Sequence, residues 1–264
     1  MPKLKILYIA SEITPFVNTS SVAPFFRKLT QAMQHKVDLR ILVPKFGTIN
    51  VRKHNLHEVV RLSNIEIPVG GGRHTISVKV TSIPGIRLQV YFIDNEQYFT
   101  RKHIFRDADA KFFEDNDERL IFICRSVLET IRNLNWIPDI VHCHDWITSL
   151  IPYYLKKSQE TDPTLQAIKV IFNLYNTTFS ETMPADFAQK AGIADISTPY
   201  PIIGFNELLQ LGAQYADVVA HSESTPLPHT ITDFITKDIR HINADDEEGI
   251  AQYHQMYQDL KNTV

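Results

Sequence analysis

The chain has 264 residues, enough at about 100–200 residues per domain for one large domain or two small ones. Its hydrophobic fraction of 44% and charged fraction of 22% exclude a fully disordered chain. Lys and Arg number 27 against 30 Asp and Glu, and the net charge of -3 argues against nucleic acid as the main partner. No apolar run approaches the roughly 20 residues of a membrane span, so no membrane role is expected. The opening apolar run to Ala10 breaks at Ser11 and Glu12, which reads as a strand and not as a signal peptide. Two cysteines, Cys124 and Cys143, cannot form a disulfide framework, and a reducing cytoplasm is the expected location.

In chain order, residues 4–10 form a short apolar run consistent with a buried parallel strand. A polar loop with Pro15 follows over 11–21. Val22, Phe25, Phe26, Leu29 and Met33 repeat at helical spacing and predict a helix over 22–35, and 37–43 reads as the next strand. This βαβ order is the signature of an α/β fold. Alternation over 59–68 and 75–83, on either side of Gly70-Gly71-Gly72, predicts an inserted β-hairpin. Further strands are expected at 87–93, 139–143, 168–174 and 216–220, with helices at 115–133, 147–156 and 205–213. The end, 241–264, reads as a polar helix or tail on the surface, after a main domain over 1–240. The expected architecture is a Rossmann-like doubly wound, mostly parallel sheet of roughly five or six parallel strands with one hairpin insertion. Ligands then bind at the carboxyl ends of the strands, in the loops 11–21, 94–106, 144–148, 175–181 and 221–225.

The segment Val141-His142-Cys143-His144-Asp145-Trp146 ends a strand at that edge. Alternation puts His142 and His144 on one face and Cys143 on the other, with His144 and Asp145 entering the loop. His142 reads as a satisfied core histidine and His144 as the better functional candidate. Zinc needs three or four ligands, no second cluster stands at metal spacing, and neither a metal nor a cofactor is expected. Cys143 reads as inert packing. Asp115, Asp117 and Glu118 read as helix-start carboxylates. Ser222-Glu223-Ser224 could hold an anion, but Pro226 and Pro228 point instead to an extended turn. Tyr98, Phe99, Phe105, Phe112 and Phe113 could stack on sugar rings, with packing or a protein interface the blander account.

The run Ile9-Ala10-Ser11-Glu12 resembles the opening of bacterial glycogen and starch synthases. The resemblance continues at Leu42-Val43-Pro44-Lys45-Phe46-Gly47 and Asp94-Asn95-Glu96-Gln97-Tyr98-Phe99. It is clearest at Trp136-Ile137-Pro138-Asp139-Ile140-Val141-His142-Cys143-His144-Asp145-Trp146 and returns over 206–217. Such enzymes are retaining glucosyltransferases of two-domain GT-B fold, which transfer glucose from ADP- or UDP-glucose to an α-1,4-glucan. The resemblance implies that this chain is one half of a GT-B fold, with His144 and Asp145 as family-equivalent catalytic positions.

Two departures stand against the matches. The family's Lys-Thr-Gly-Gly-Leu donor loop reads Asn18-Thr19-Ser20-Ser21-Val22 here, and Pro24 stands at a usually acidic position. Losing the lysine removes a charge-assisted bond to phosphate, and two Cβ atoms narrow the space for a ligand. With only 9 glycines, about half the roughly 7% of an average chain, the whole sequence shows the same trend. The family's Ile-His-Asn segment at the sugar site reads Leu174-Tyr175-Asn176. Family members also carry a second domain that stabilises the departing diphosphate, and the sequence stops about where the first should end. The expectation is a non-catalytic half that binds an α-glucan, a nucleotide sugar, or a protein partner or second copy over the face left by the missing domain. The alternative is a competent glucosyltransferase half completed by the rest of the gene or by another chain. An unrelated small-molecule binder on the same frame is a third, weaker reading.

Overall fold

The computed structural model describes residues 3–86, 88–194, 202–222, 226–242 and 246–263. In chain order the elements are β1 (Lys5–Ile9), α1 (Val22–Met33), β2 (Asp38–Pro44), β3 (His57–Glu58), β4 (Ile65–Val69) and β5 (Gly72–Ser82). Next come β6 (Gln89–Asp94), α2 (Glu96–Phe99), α3 (Asn116–Asn133), β7 (Ile140–His144), α4 (Leu150–Gln159) and β8 (Lys169–Leu174). The last are α5 (Phe187–Ala191), α6 (Phe205–Tyr215), β9 (Val218–His221), α7 (His229–Thr232), β10 (Ile239–His241) and α8 (Glu247–Asn262). The sheet order is β10-β9-β8-β7-β1-β2-β6-β5-β3, with β4 paired to β5. Every pair from β10 to β6 is parallel, and β5 returns antiparallel on β6. This is the mostly parallel Rossmann-like sheet expected, with the hairpin at its β6 edge.

Continuous apolar runs place β1 and β7 in the middle, where both faces are covered. On one face lie α1 and α8; on the other, α3, α4 and α6 pack side by side. Val22, Phe26, Leu29 and Met33 fall on one side of α1 and are buried. Gly70 and Gly71, at φ 58° and 82°, make the two-residue turn joining β4 to β5, a backbone that side chains rarely adopt. The first hairpin strand starts later than alternation predicts. Residues 60–62 form a 3-10 turn with Val60 77% exposed, because the Ser63 hydroxyl caps Val59 O and receives Val78 N.

The C-terminal segment also differs from its sequence reading. It forms α8, capped by Asp246 Oδ1 on Gly249 N at 2.8 Å, but it is not a polar surface element. Tyr253, Met256, Tyr257 and Leu260 form a buried stripe at helical spacing. The hydroxyls of Tyr257 and Tyr8 meet at 2.7 Å, so the last helix is bonded to the first strand. Lys261 pairs with Asp139, whose other oxygen accepts Lys5 N at 2.8 Å.

Candidate functional site

The carboxyl ends of β1, β2, β7 and β8 open onto a cavity of about 620 Å³. Its first wall is the loop after β1. The nearly buried Glu12 carboxylate accepts Thr19 N at 2.6 Å, Thr19 Oγ1 at 3.0 Å and the Ser20 hydroxyl. Ser20 Oγ in turn accepts Val22 N at 3.2 Å and fixes the start of α1. Thr19 and Ser20 therefore face the cavity, whereas Asn18 and Ser21 are exposed and lie outside its lining. Glu12 stood inside a quoted motif, yet nothing local marked it as the anchor of the loop.

The second wall follows β7. Asp145 has φ 70° and ψ 167°, a strained backbone for a residue with a side chain, of order 1–3 kcal/mol. Its surroundings hold it there: its N–H donates to Asn173 O at 3.1 Å, and its carbonyl accepts Thr148 N at 3.0 Å and Thr148 Oγ1 at 2.7 Å. Asp145 Oδ1 accepts Thr177 Oγ1 at 2.7 Å, tying this loop to the one after β8. Trp146 lies 4.8 Å from the Phe105 ring and 4.9 Å from that of Phe179, and all three line the cavity.

The third wall is the segment after α2. Arg106 pairs with Glu181 through Nη1–Oε1 at 2.5 Å and Nη2–Oε2 at 2.8 Å, joining two lips of the cavity. The Arg106 guanidinium holds the Glu181 carboxyl below its ordinary range. Neither residue was singled out from sequence, because their bond spans 75 positions. Of the aromatic group noted above, Phe105 and Phe112 reach the lining; Tyr98 and Phe99 are buried, and the Arg101 guanidinium sits over Phe113.

His144 is not in the loop. It is the last residue of β7, paired in register with Asn173, and has no exposed surface. The hydrogen-bonded neighbour strands and the Phe25 and Phe26 rings of α1 enclose it. Its Nδ1 shares a 2.7 Å hydrogen bond with the hydroxyl of Tyr175, itself 1% exposed. His142 is the core histidine expected: its Nδ1 meets Tyr257 OH at 2.9 Å, and its ring centroid is 4.0 Å from that of His144. Burial pushes the His142 pKa down to about 3; burial and the adjacent His142 hold His144 well below the usual imidazole range. Both rings are neutral at neutral pH. Behind them, Ser222 Oγ and Tyr253 OH donate to Asn173 Oδ1 at 2.7 and 2.8 Å.

Tyr175 is therefore joined to His144 behind the cavity, and Asn176, half-buried, also lies outside its lining. Ser222 is buried in the network just described, while Glu223 and Ser224 lie outside the described residues. The helix-start carboxylates are structural: Asp115 takes both Arg101 nitrogens at 2.5 and 2.7 Å, and Asp117 takes Lys190 at 3.0 Å. Burial raises the Cys143 thiol, so it is no thiolate nucleophile. Among the described residues no helix is long and apolar enough to cross a membrane.

The family model for the starch synthase catalytic domain matches residues 5–226. The chain is 37% identical over 218 residues to a glycogen synthase of Chlorobium limicola and 38% identical over 218 residues to one of Chlorobium luteolum. Each alignment takes in 81% of this chain and 45% of the relative, so the chain spans about half the length of these relatives. In structure it is similar to the catalytic domain of Starch Synthase IV from Arabidopsis thaliana bound to ADP and acarbose. The TM-score is 0.71 at 18% identity, over 98% of this chain and 50% of that one.

Proposed function

The chain belongs to the starch synthase catalytic-domain family, and from that premise we propose that this half binds an α-1,4-glucan at the strand ends without itself transferring glucose. The observation that carries the reading is the make-up of the cavity. Its charged lining residues are Glu12, Asp107 and Asp145 against Lys102 and Arg106, and Arg106 is already neutralised by Glu181. A sugar-nucleotide diphosphate needs several cations, and this lining offers Lys102 alone beyond the paired Arg106. Hydroxyls of Thr19, Ser20 and Thr177 beside the half-buried Phe179 ring suit a neutral polyhydroxyl chain. His144, the family-equivalent catalytic position, is sealed behind Tyr175 and Phe25, where no sugar reaches it.

A second reading draws on the strained backbone at Asp145, a feature that clusters at active sites. In it the chain is a competent glucosyltransferase half, completed by a further domain from the same gene or another chain. Thermal unfolding against maltoheptaose, ADP-glucose and ADP separates the two. A ligand at a hundredfold excess over Kd stabilises by about 2.7 kcal/mol, which moves Tm by about 5–10 °C in a chain of this size. The glucan reading expects that shift with maltoheptaose alone, weakened by Phe179→Ala. A shift with ADP-glucose restores the enzyme reading. No shift with any of the three overturns glucan binding and turns the search to a protein partner.

A further inference from the structure

The opposite edge of the sheet carries a second cavity, of about 850 Å³, between the starts of β1 and β2 and the β5–β6 connection. The register explains its chemistry. Lys5 stands beside Asp38 and Leu7 beside Arg40, so a period of two brings Lys5 and Arg40 onto one face, and Lys3 lines the same cavity. Leu39 and Leu88 add apolar surface to its lining. The Arg40 guanidinium is held over the Trp136 ring at 4.6 Å, and Trp136 Nε1 donates to Asp38 Oδ2 at 2.8 Å. Asp38 is thus engaged with the tryptophan and lies within 4 Å of none of the three cations. Among the described residues no other carboxylate reaches them, and Lys3 Nζ has only the carbonyl of His35, at 2.7 Å. Some cations elsewhere are matched by carboxylates, as Lys79 is by Asp94, Arg101 by Asp115 and Lys156 by Asp217.

We propose that this cavity binds a small phosphomonoester dianion. Three cations line the cavity against the single carboxylate of Asp38, and a dianion offsets the positive charge that remains. A terminal phosphate offers three acceptor oxygens, which fit two ammonium groups with donors to spare and one guanidinium fork already oriented by stacking. The apolar lining of Val37, Leu39, Ile86 and Leu88 receives the carbon body. The site is independent of the glucan reading, since it shares no residue with the other cavity.

Inorganic phosphate is the probe, titrated against thermal unfolding at fixed ionic strength with chloride exchanged for phosphate. Phosphate also stabilises proteins generally by exclusion from their surface, so the comparison with variants decides. Tm is expected to rise with phosphate in the parent, and Arg40→Gln and Lys5→Gln are each expected to weaken the apparent affinity at least tenfold. Lys5→Gln keeps the backbone bond from Lys5 N to Asp139 and serves if Arg40→Gln does not fold. An equal shift in parent and both variants is a bulk salt effect and overturns the site. A response lost with Lys102→Gln but kept with Arg40→Gln places the anion in the other cavity and overturns it as well.

Discussion

Acidification from pH 7 to pH 5 tests the buried histidine pair. In the unfolded chain each imidazole has a pKa near 6.5. In the folded chain His142 is held at about 3 and His144 also lies well below the usual range, both chiefly through burial. A lowered folded pKa means that the unfolded state binds more protons, so stability is full above pH 6.5 and falls as the pH drops below it. Over those two pH units His142 removes about 2 kcal/mol, a large part of a typical 5–15 kcal/mol, and His144 adds to the loss in the same direction. His54 and His254, also lowered by burial but half-exposed, add little after solvent screening. Urea unfolding at half-unit pH steps gives the number of protons taken up. Near pH 5 to 6 the slope is expected to exceed about 1.4 kcal/mol per pH unit, that of one proton, and to fall by about that amount in His142→Gln. A slope below one proton, or an unchanged slope in His142→Gln, refutes the reasoning.

Three further outcomes are expected. Tyr257→Phe removes the hydroxyl shared by Tyr8 and His142 and costs about 1–3 kcal/mol, read from the urea midpoint at unchanged m-value. Gly47→Ala sets a Cβ onto the carbonyl oxygens of Thr100 and Arg101, backbone that cannot turn aside, and loses about 1–3 kcal/mol by differential scanning calorimetry. Cys124 and Cys143, fully buried with thiols raised by burial, stay unmodified by an aromatic disulfide reagent in the native state and both react in urea.

How much of this was legible depends on distance along the chain. The β1–α1–β2 unit shows in the spacing of Val22, Phe26 and Met33, and the β4–β5 turn in Gly70 and Gly71, because periodicity and turn chemistry are local. Several family segments lead into loops that line the cavity, and Thr19, Ser20 and Asp145 are among the lining residues. His144 was misplaced because the strand runs one residue further than its apolar run, held by pairing with Asn173, 29 positions away. Tyr253 and Tyr257 were hidden in a polar stretch, since two tyrosines among glutamines and acids give a weak stripe until their partners are known. Glu12 and the Arg106–Glu181 pair act through folded geometry that no spacing rule encodes.

The bond between Tyr8 and Tyr257 spans 249 positions and has a consequence for synthesis. The central strand emerges from the ribosome well before the hydroxyl that satisfies its buried tyrosine, 249 residues further along the chain. Until α8 arrives, the face carrying Tyr8, His142 and Asn173 lacks its cover, and the nascent sheet holds polar groups awaiting partners. Contacts this distant in sequence close late and slowly. Arrested chains ending before residue 247 are therefore expected to be protease-sensitive along β1 and β7, and chains carrying α8 fully outside the exit tunnel to be protected. Helix α8 acts as the latch over β1 and β7.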